Sequence, residues 1–431
     1  MIATNIGKTF LNAYNEKFER AYSAKEFFVE IYFTLFFDHE KYMQWVTNSP
    51  FVQGIKKGVP PTSDERKLKL QTLLDKIATN EADASIAIGF PSLDLTASTS
   101  GQITSMNLPL KEEDVYLSWI GSGFGIGVQS GLSMFFDNRQ ILLDLFEGWK
   151  IYRDFLNTTP ELRGNQINTW NGQWLAHRYN KSAYDVQHPT ASFNPFDPIK
   201  GGGMEVRTQL WTKVLVGIAR NFPNTLETAY VYNLGQTNTT IGFIPFELPK
   251  IRFPYELYEK YFGTTDKYIV ENLFGTAVGF TKVCQMGTVG TNALEPKGFK
   301  DCFTKGEIPT YSNSDEEKKI NFNTYQIWLL AMLSNEQLWE QAQQIALTLS
   351  NYSKSDKNAR TKKSQEVATL LSSVNKKQFI DGLTILVGQG QDVDQLNQIA
   401  EMLHLMPVDN VPYFLTLIRF QYSVISKKSL K

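Results

Sequence analysis

The stretch from Ala229 to Phe246, AYVYNLGQTNTTIGFIPF, decides the fold class. Ala229 to Asn233 and Thr240 to Phe246 are short runs rich in aromatic and β-branched residues. Between them, Leu234-Gly235-Gln236-Thr237-Asn238 carries the turn chemistry of a hairpin tip. Upstream, further β-type runs stand at Ser85 to Phe90, Val115 to Gly121 and Leu132 to Phe136, with helical patterns at Leu142 to Phe155 and Val206 to Arg220 between them. Antiparallel strands interleaved with helices, without a repeating βαβ unit, predict an α+β fold.

Outward from this middle region the chain reads as helix in both directions. Phe10, Tyr14 and Phe18 recur at four-residue spacing and share a face. Phe27 to Phe37 is apolar nearly all round and predicts burial. Asn48-Ser49-Pro50 and Gly54 to Pro61 break the pattern as a loop, and Asp64 to Ile77 resumes a helix. From Asn321 the β signals vanish. Ser334 with Gln337, and Asn375 with Gln378, predict helix N-caps. Stripes follow at Leu370/Leu371/Val374, Phe379/Leu383/Leu386, Leu396/Ile399/Leu403 and Phe414/Leu415/Ile418/Tyr422. They predict a bundle of four to five helices. The expected division is a mixed helical and antiparallel-sheet domain over 1–320, followed by a helical bundle over 321–431.

The chain has 431 residues, a formal net charge of -1 and a pI near 6.5, which excludes a strongly basic free-standing DNA binder. Any nucleic-acid contact must come from local patches. The two cysteines, Cys284 and Cys302, exclude a disulfide framework and a cysteine-rich zinc module, and a reduced, cytosolic compartment fits. No signal-peptide pattern opens the sequence. The densest apolar runs, Ile31 to Phe37 and Ile327 to Leu333, fall far short of the roughly 20 residues a membrane span needs.

No catalytic constellation stands out. Gly121-Ser-Gly-Phe-Gly-Ile-Gly127 lacks the G-x-G-x-x-G spacing and a P-loop lysine, and reads as a tight strand-to-loop passage or a backbone nest. His39, His177, His188 and His404 make no metal-ligand spacing, so neither metal nor cofactor is expected. Three segments instead combine cations, amides and rings, the residue types that hold phosphates, reach base edges and stack on bases. Arg163 to Lys181, RGNQINTWNGQWLAHRYNK, offers Arg163, Asn171, Gln173, Trp174, Arg178 and Lys181. It is open to a second reading, a loop whose tryptophans tuck into the core. Lys354, Lys357, Arg360, Lys362 and Lys363, with Lys376 and Lys377 after them, form a phosphate-binding run or a solvated loop between helices. Asn48 to Gly58, NSPFVQGIKKG, is a groove-reaching loop or an ordinary helix connection.

The order of these features resembles the large subunit of type I CRISPR Cascade, particularly the I-A and I-B forms. The pieces that carry the resemblance are the Asn-Ser-Pro-Phe loop, the hairpin Tyr230-Val-Tyr-Asn-Leu-Gly-Gln236 leading to Ile241–Glu247 and Leu248-Pro249, and the ending Tyr413-Phe-Leu-Thr-Leu-Ile-Arg-Phe-Gln-Tyr422. The resemblance implies a non-enzymatic protein whose partners are CRISPR RNA, double-stranded target DNA and its displaced strand, other Cascade subunits and a helicase-nuclease. It differs in having no C-x-x-C pair between Trp170 and Gly203. On this reading Asn48 and Gln53 read base edges of the PAM, and Lys56 and Lys57 hold phosphates. Arg163 to Lys181 and the hairpin tip, with Gln236 and Asn238, give further contacts. The Lys354 to Lys377 cluster tracks the displaced strand, and a small subunit would be translated from a start near Met332. Two alternatives stand beside it: a Cascade backbone-type RNA-binding subunit, and a cytosolic enzyme or carbohydrate-binding protein with an aromatic pocket.

Overall fold

The computed structural model describes residues 1–56, 58–79, 86–89, 111–222, 225–233, 240–263, 273–356, 358–387 and 393–428. It divides into two compact units. The first holds Met1–Leu248 with Phe280–Thr288, and the second holds Pro249–Gly279 with Val289–Lys431. The division therefore falls after Leu248, at the first residue of α9 (Leu248–Phe262), and not after residue 320 as expected.

The first unit is α+β. Its sheet runs in the order β1 (Ile126–Val128), β2 (Leu132–Phe136), β5 (Leu226–Asn233) and β6 (Thr240–Glu247), all antiparallel. The expected hairpin is present, with Tyr230 opposite Phe243 and a bulge between Val231 and Tyr232. Its tip, with Gln236 and Asn238, lies outside the described residues. Period-two alternation turns Ala229 and Val231 of β5 and Ile244 and Phe246 of β6 into the core, whereas β2 is buried throughout. A second, two-stranded sheet pairs β3 (Phe196–Pro198) with β4 (Met204–Val206). Val206 is thus a strand residue, and the helix expected from it begins only at Trp211, as α8 (Trp211–Asn221).

Helices supply the rest of the first unit. α1 (Ile2–Lys17) crosses α5 (Glu112–Ser122) at glycines on both sides. A Cβ on Gly121 would fall 1.8 Å from the Ala3 carbonyl oxygen, and one on Gly7 would fall 2.1 Å from that of Leu117. Val115 to Gly121 is therefore a helix and not the expected strand. Each residue from Val115 to Ser122 is buried, so the run shows no helical stripe. Between them α2 (Ala24–Phe27) opens on a Ser23/Glu26 capping box and passes through a π turn (Phe28–Tyr32) into α3 (Phe33–Phe36). Glu30 and Thr34 are exposed, so this segment is buried on one side and not all round. Phe10, Phe27, Phe124, Phe146 and Trp149 make its aromatic core with α6 (Arg139–Thr158). α4 (Ser63–Thr79) and α7 (Ile167–Arg178) complete the frame.

The glycine run after α5 is a packing device and not a nest. A Cβ at Gly123 would meet the Trp149 and Phe36 rings, and one at Gly125 would fall 2.2 Å from Asn168 Oδ1.

The second unit continues with α11 (Phe299–Lys305) after the short α10 (Phe280–Gln285), which belongs to the first unit. It ends in six described helices: α12 (Glu316–Leu333), α13 (Gln337–Lys354), α14 (Arg360–Leu371), α15 (Lys376–Val387), α16 (Val393–Leu405) and α17 (Val411–Lys428). α12 is buried over most of Ile320 to Leu333, and Phe322 meets Phe420 of α17 at 4.8 Å. The Asn375/Gln378 cap is present, with Asn375 Oδ1 accepting the Gln378 N–H at 3.0 Å. Ser334 is not an N-cap. It closes α12 in the left-handed region at φ 51°, and Asn335 Oδ1 accepts the Gln337 N–H. The stripes Phe379/Leu383/Leu386 and Leu396/Ile399/Leu403 are buried, whereas Val374 lies exposed beyond the end of α14. No helix among the described residues is long and apolar enough to cross a membrane.

Candidate nucleic-acid interface

The loop over 37–62 is built downward from one ring. Phe51 has no solvent exposure, stacks on Phe37 at 4.1 Å and 8°, and meets Trp119 edge-on at 5.5 Å. Ser49 and Pro50 are buried beside it. Lys69 of α4 donates to the Pro50 and Gln53 carbonyls, and burial lowers its pKa. Arg66 pairs with Asp38 at 3.0 Å and donates to the Pro61 carbonyl. The residues between these anchors, Asn48, Gln53 and Lys56, are exposed. Asn48 takes the left-handed conformation at φ 69°, and its carbonyl accepts the Gln53 side-chain amide at 3.0 Å. Lys57 lies outside the described residues.

The opposite bank is the turn 163–165. Asn165 N–H donates to the Tyr42 carbonyl at 2.7 Å and Ile167 N–H to that of Met43. Gly164 has to be glycine for this approach, since a Cβ there would sit 2.6 Å from the Tyr42 oxygen. Arg163 is exposed on this turn, and it lines the same cleft as Lys56. The two line one cleft of about 760 Å³ with Trp45, Val59, Pro60 and Glu40. A smaller cleft of about 500 Å³ continues past Lys56 toward α4. Lys41 borders the first cleft, but its ammonium is held by the Thr159 and Pro160 carbonyls at 2.8 Å each, and burial lowers its pKa. Burial pushes Tyr42 up to about 12 and Arg153 down to about 10. Arg153 donates to the Leu35 and Lys41 carbonyls beneath the loop. Among the described residues, neither Lys56 nor Arg163 has an ion-pair partner.

The remaining expected contacts of 163–181 are corrected by the structure. The segment is mostly helix α7, packed inside the first unit. Trp170 and Trp174 are fully buried, donating to the Gly148 and Asp144 carbonyls at 2.9 and 2.7 Å. Gly148 makes room for Trp174, whose Cδ1 would lie 2.4 Å from an added Cβ. Asn171 donates to the Gly123 and Gly125 carbonyls, and Gln173 to that of Arg207, so neither amide can reach a ligand. Arg178 lies over the Tyr184 ring and beside Asp144 at 3.5 Å and Glu147 at 3.7 Å. Lys181 alone stays exposed at the far end. The rings that suggested an aromatic pocket stack on one another, as Trp170 does on Tyr152 at 4.8 Å, and fill the core.

In the second unit, the expected displaced-strand cluster is partly committed to the protein. Lys376 donates to the His404 and Met406 carbonyls at 2.7 and 3.1 Å, finishing α16, and this replaces its predicted contact. Lys354 donates to Ser350 Oγ, and Lys363 to Ser355 Oγ over the Tyr352 ring. Lys362 stands 4.0 Å from Glu366. Arg360 and Lys377 are exposed, and Lys357 lies outside the described residues.

Among the described residues, no group of three or more His, Cys, Asp or Glu side chains could hold a metal ion. Burial pushes Cys302 up to about 11 and Cys284 up to about 12, so neither buried thiol is poised as a nucleophile. The chain matches no family model, no curated protein and no solved structure.

Trp45, on the wall of the cleft, carries no local signal in the sequence. Only its exposure marks it.

Proposed function

We propose that this chain is a non-catalytic, nucleic-acid-holding subunit of a larger assembly, of the kind represented by the large subunit of a type I CRISPR surveillance complex. Its partners would be CRISPR RNA, target DNA, neighbouring Cascade subunits and a recruited helicase-nuclease. The observation that supports this reading is that Lys56 and Arg163, far apart in the chain, line one cleft. Both side chains are exposed in the lining of that cleft, and among the described residues neither has an ion-pair partner, so both can take an anion. In this assignment the exposed Asn48 side chain and the side-chain oxygen of Gln53, whose amide nitrogen is bonded to the Asn48 carbonyl, take base edges while Lys56 and Arg163 hold the backbone. Base pairing between guide and target would supply sequence specificity.

Lys56→Glu with Arg163→Glu tests the reading. In purified full-length protein, affinity for a short RNA or DNA should fall at least about tenfold, and the log–log salt slope should flatten by about 1.4–1.8, the value for two phosphate contacts. A second measurement is recovery of the chain with a short RNA and partner proteins from its own cells. An unchanged salt slope together with recovery free of RNA and partners would refute the reading.

A further inference from the structure

We infer that Trp45 is a stacking platform for an unpaired nucleobase, so that the cleft takes single-stranded nucleic acid with Lys56 and Arg163 on the flanking phosphates. The inference rests on the proposed function and sharpens it, from nucleic acid in general to one unpaired nucleotide at one ring.

The chain has eight tryptophans. Seven are buried, at 7% exposure or less, whereas Trp45 is 46% exposed. Tryptophan is a costly residue to leave in water and is normally well buried. This one is not exposed through slack in the chain. On its N-terminal side, Gln44 is pinned by Tyr32 Oη at 2.8 Å and Ser122 Oγ at 3.2 Å, and Met43 N–H donates to the Phe36 carbonyl. On its C-terminal side, the Val46 carbonyl accepts the Ser49 N–H. The ring is presented on main chain that is already ordered, so little further ordering is needed when a ligand arrives.

The surroundings specify the ligand. Val59 is 60% exposed, and with Pro60 and Pro61 it gives the same cleft an apolar wall. A volume of about 760 Å³ is in the range that encloses a small ligand, about one or two nucleotides, and cannot enclose a duplex. A flat ring, an apolar wall and two unpaired cations complement an object with an aromatic face and anions on either side. Bases in a duplex hide their faces in the stack, whereas single-stranded bases offer them. Glu40, exposed on the same cleft, disfavours phosphate on its own side and leaves the path past Lys56 and Arg163.

The test uses full-length protein with a twelve-residue oligo(dT), oligo(rU) and the dA·dT duplex of the same length, followed by anisotropy and by intrinsic tryptophan emission. Because Trp45 is the one exposed indole, quenching on binding reports on it directly. Single strands should bind, quench the emission, and lose about 5- to 100-fold in affinity in Trp45→Ala, with Trp45→Phe in between. The duplex should bind more weakly and leave the emission unchanged. If Trp45→Ala binds single strands as wild type does while Lys56→Glu weakens them, the stacking role falls and the wider reading stands. Quenching by the duplex equal to that by single strands also overturns the inference. If no oligonucleotide binds at low salt, both fall.

Discussion

Phe51→Ala tests whether one ring anchors the cleft loop. The side chain has no solvent exposure, and its neighbours Phe37 and Trp119 are themselves core residues. Truncating such a phenylalanine costs about 3–5 kcal/mol through lost burial and the cavity left behind, and the parallel stack on Phe37 contributes about 0.5–1.5 kcal/mol of that. We expect a loss near 4 kcal/mol in the first unit. At about 2–4 °C per kcal/mol for a body of this size, its melting point should fall by roughly 8–16 °C. Phe51→Leu keeps apolar volume while removing the ring, and should cost about 1–2 kcal/mol. Urea unfolding followed by tryptophan emission measures both. If the two units unfold separately, only the transition of the first should move. Trypsin supplies a second readout, since a loop released from its anchors is cut faster at the exposed Lys56. A Phe51→Ala protein within 0.5 kcal/mol of wild type, and equally protected from trypsin, would refute the anchoring role.

Two further outcomes follow from the same unit. Gly164→Ala places a Cβ against the Tyr42 carbonyl, backbone on backbone, so the turn must retreat; we expect a loss of about 1–3 kcal/mol and weaker oligonucleotide binding through displaced Arg163, both absent if the turn has room. Asp144 is buried with Tyr179 Oη donating at 2.8 Å and Gln140 Nε2 at 3.0 Å, and burial raises its pKa. The folded state therefore holds this proton more readily than the unfolded chain, where an aspartate titrates near about 3.9. Stability from this group is present below that value and is lost as pH rises through the folded value. Asp144→Asn should accordingly gain in melting point relative to wild type between about pH 4 and pH 7, and parallel curves would contradict the sign.

The hairpin was legible because its alternation and turn residues are local. α5 and α7 were not, for one physical reason. A helix buried on nearly every side has no stripe, and its polar residues look like binding chemistry. Asn171 and Gln173 read as base-contacting amides, yet their partners are the carbonyls of Gly123, Gly125 and Arg207, distant in the chain. Val115 to Gly121 has strand composition, but the approach of α1 at Gly7 and Gly121 suits a helix. The loop over 48–58 is legible because its breakers are local signals, and Arg163 because it opens a polar segment. That the two share a cleft depends on a tertiary contact, the turn 163–165 docked on Tyr42.

Runs of lysine and arginine overstate the free positive surface of this chain. Lys41, Lys376, Arg153 and Arg419 all donate to main-chain carbonyls at the ends of helices or turns, where the local dipoles favour a cation. A cation held there neutralises its own protein before it can neutralise a phosphate. With a net charge of -1, no long-range field remains to draw in a polyanion, and attraction starts only within about 8–10 Å of the cleft. The isolated chain should therefore show a salt slope of about -1.4 to -1.8, far shallower than a free-standing DNA binder with six to ten phosphate contacts. On that arithmetic, the proposed function needs phosphate contacts beyond those that this chain supplies alone. A slope of -6 or steeper from the chain alone would mean that the cations assigned here to helix ends are free to exchange their carbonyls for phosphates.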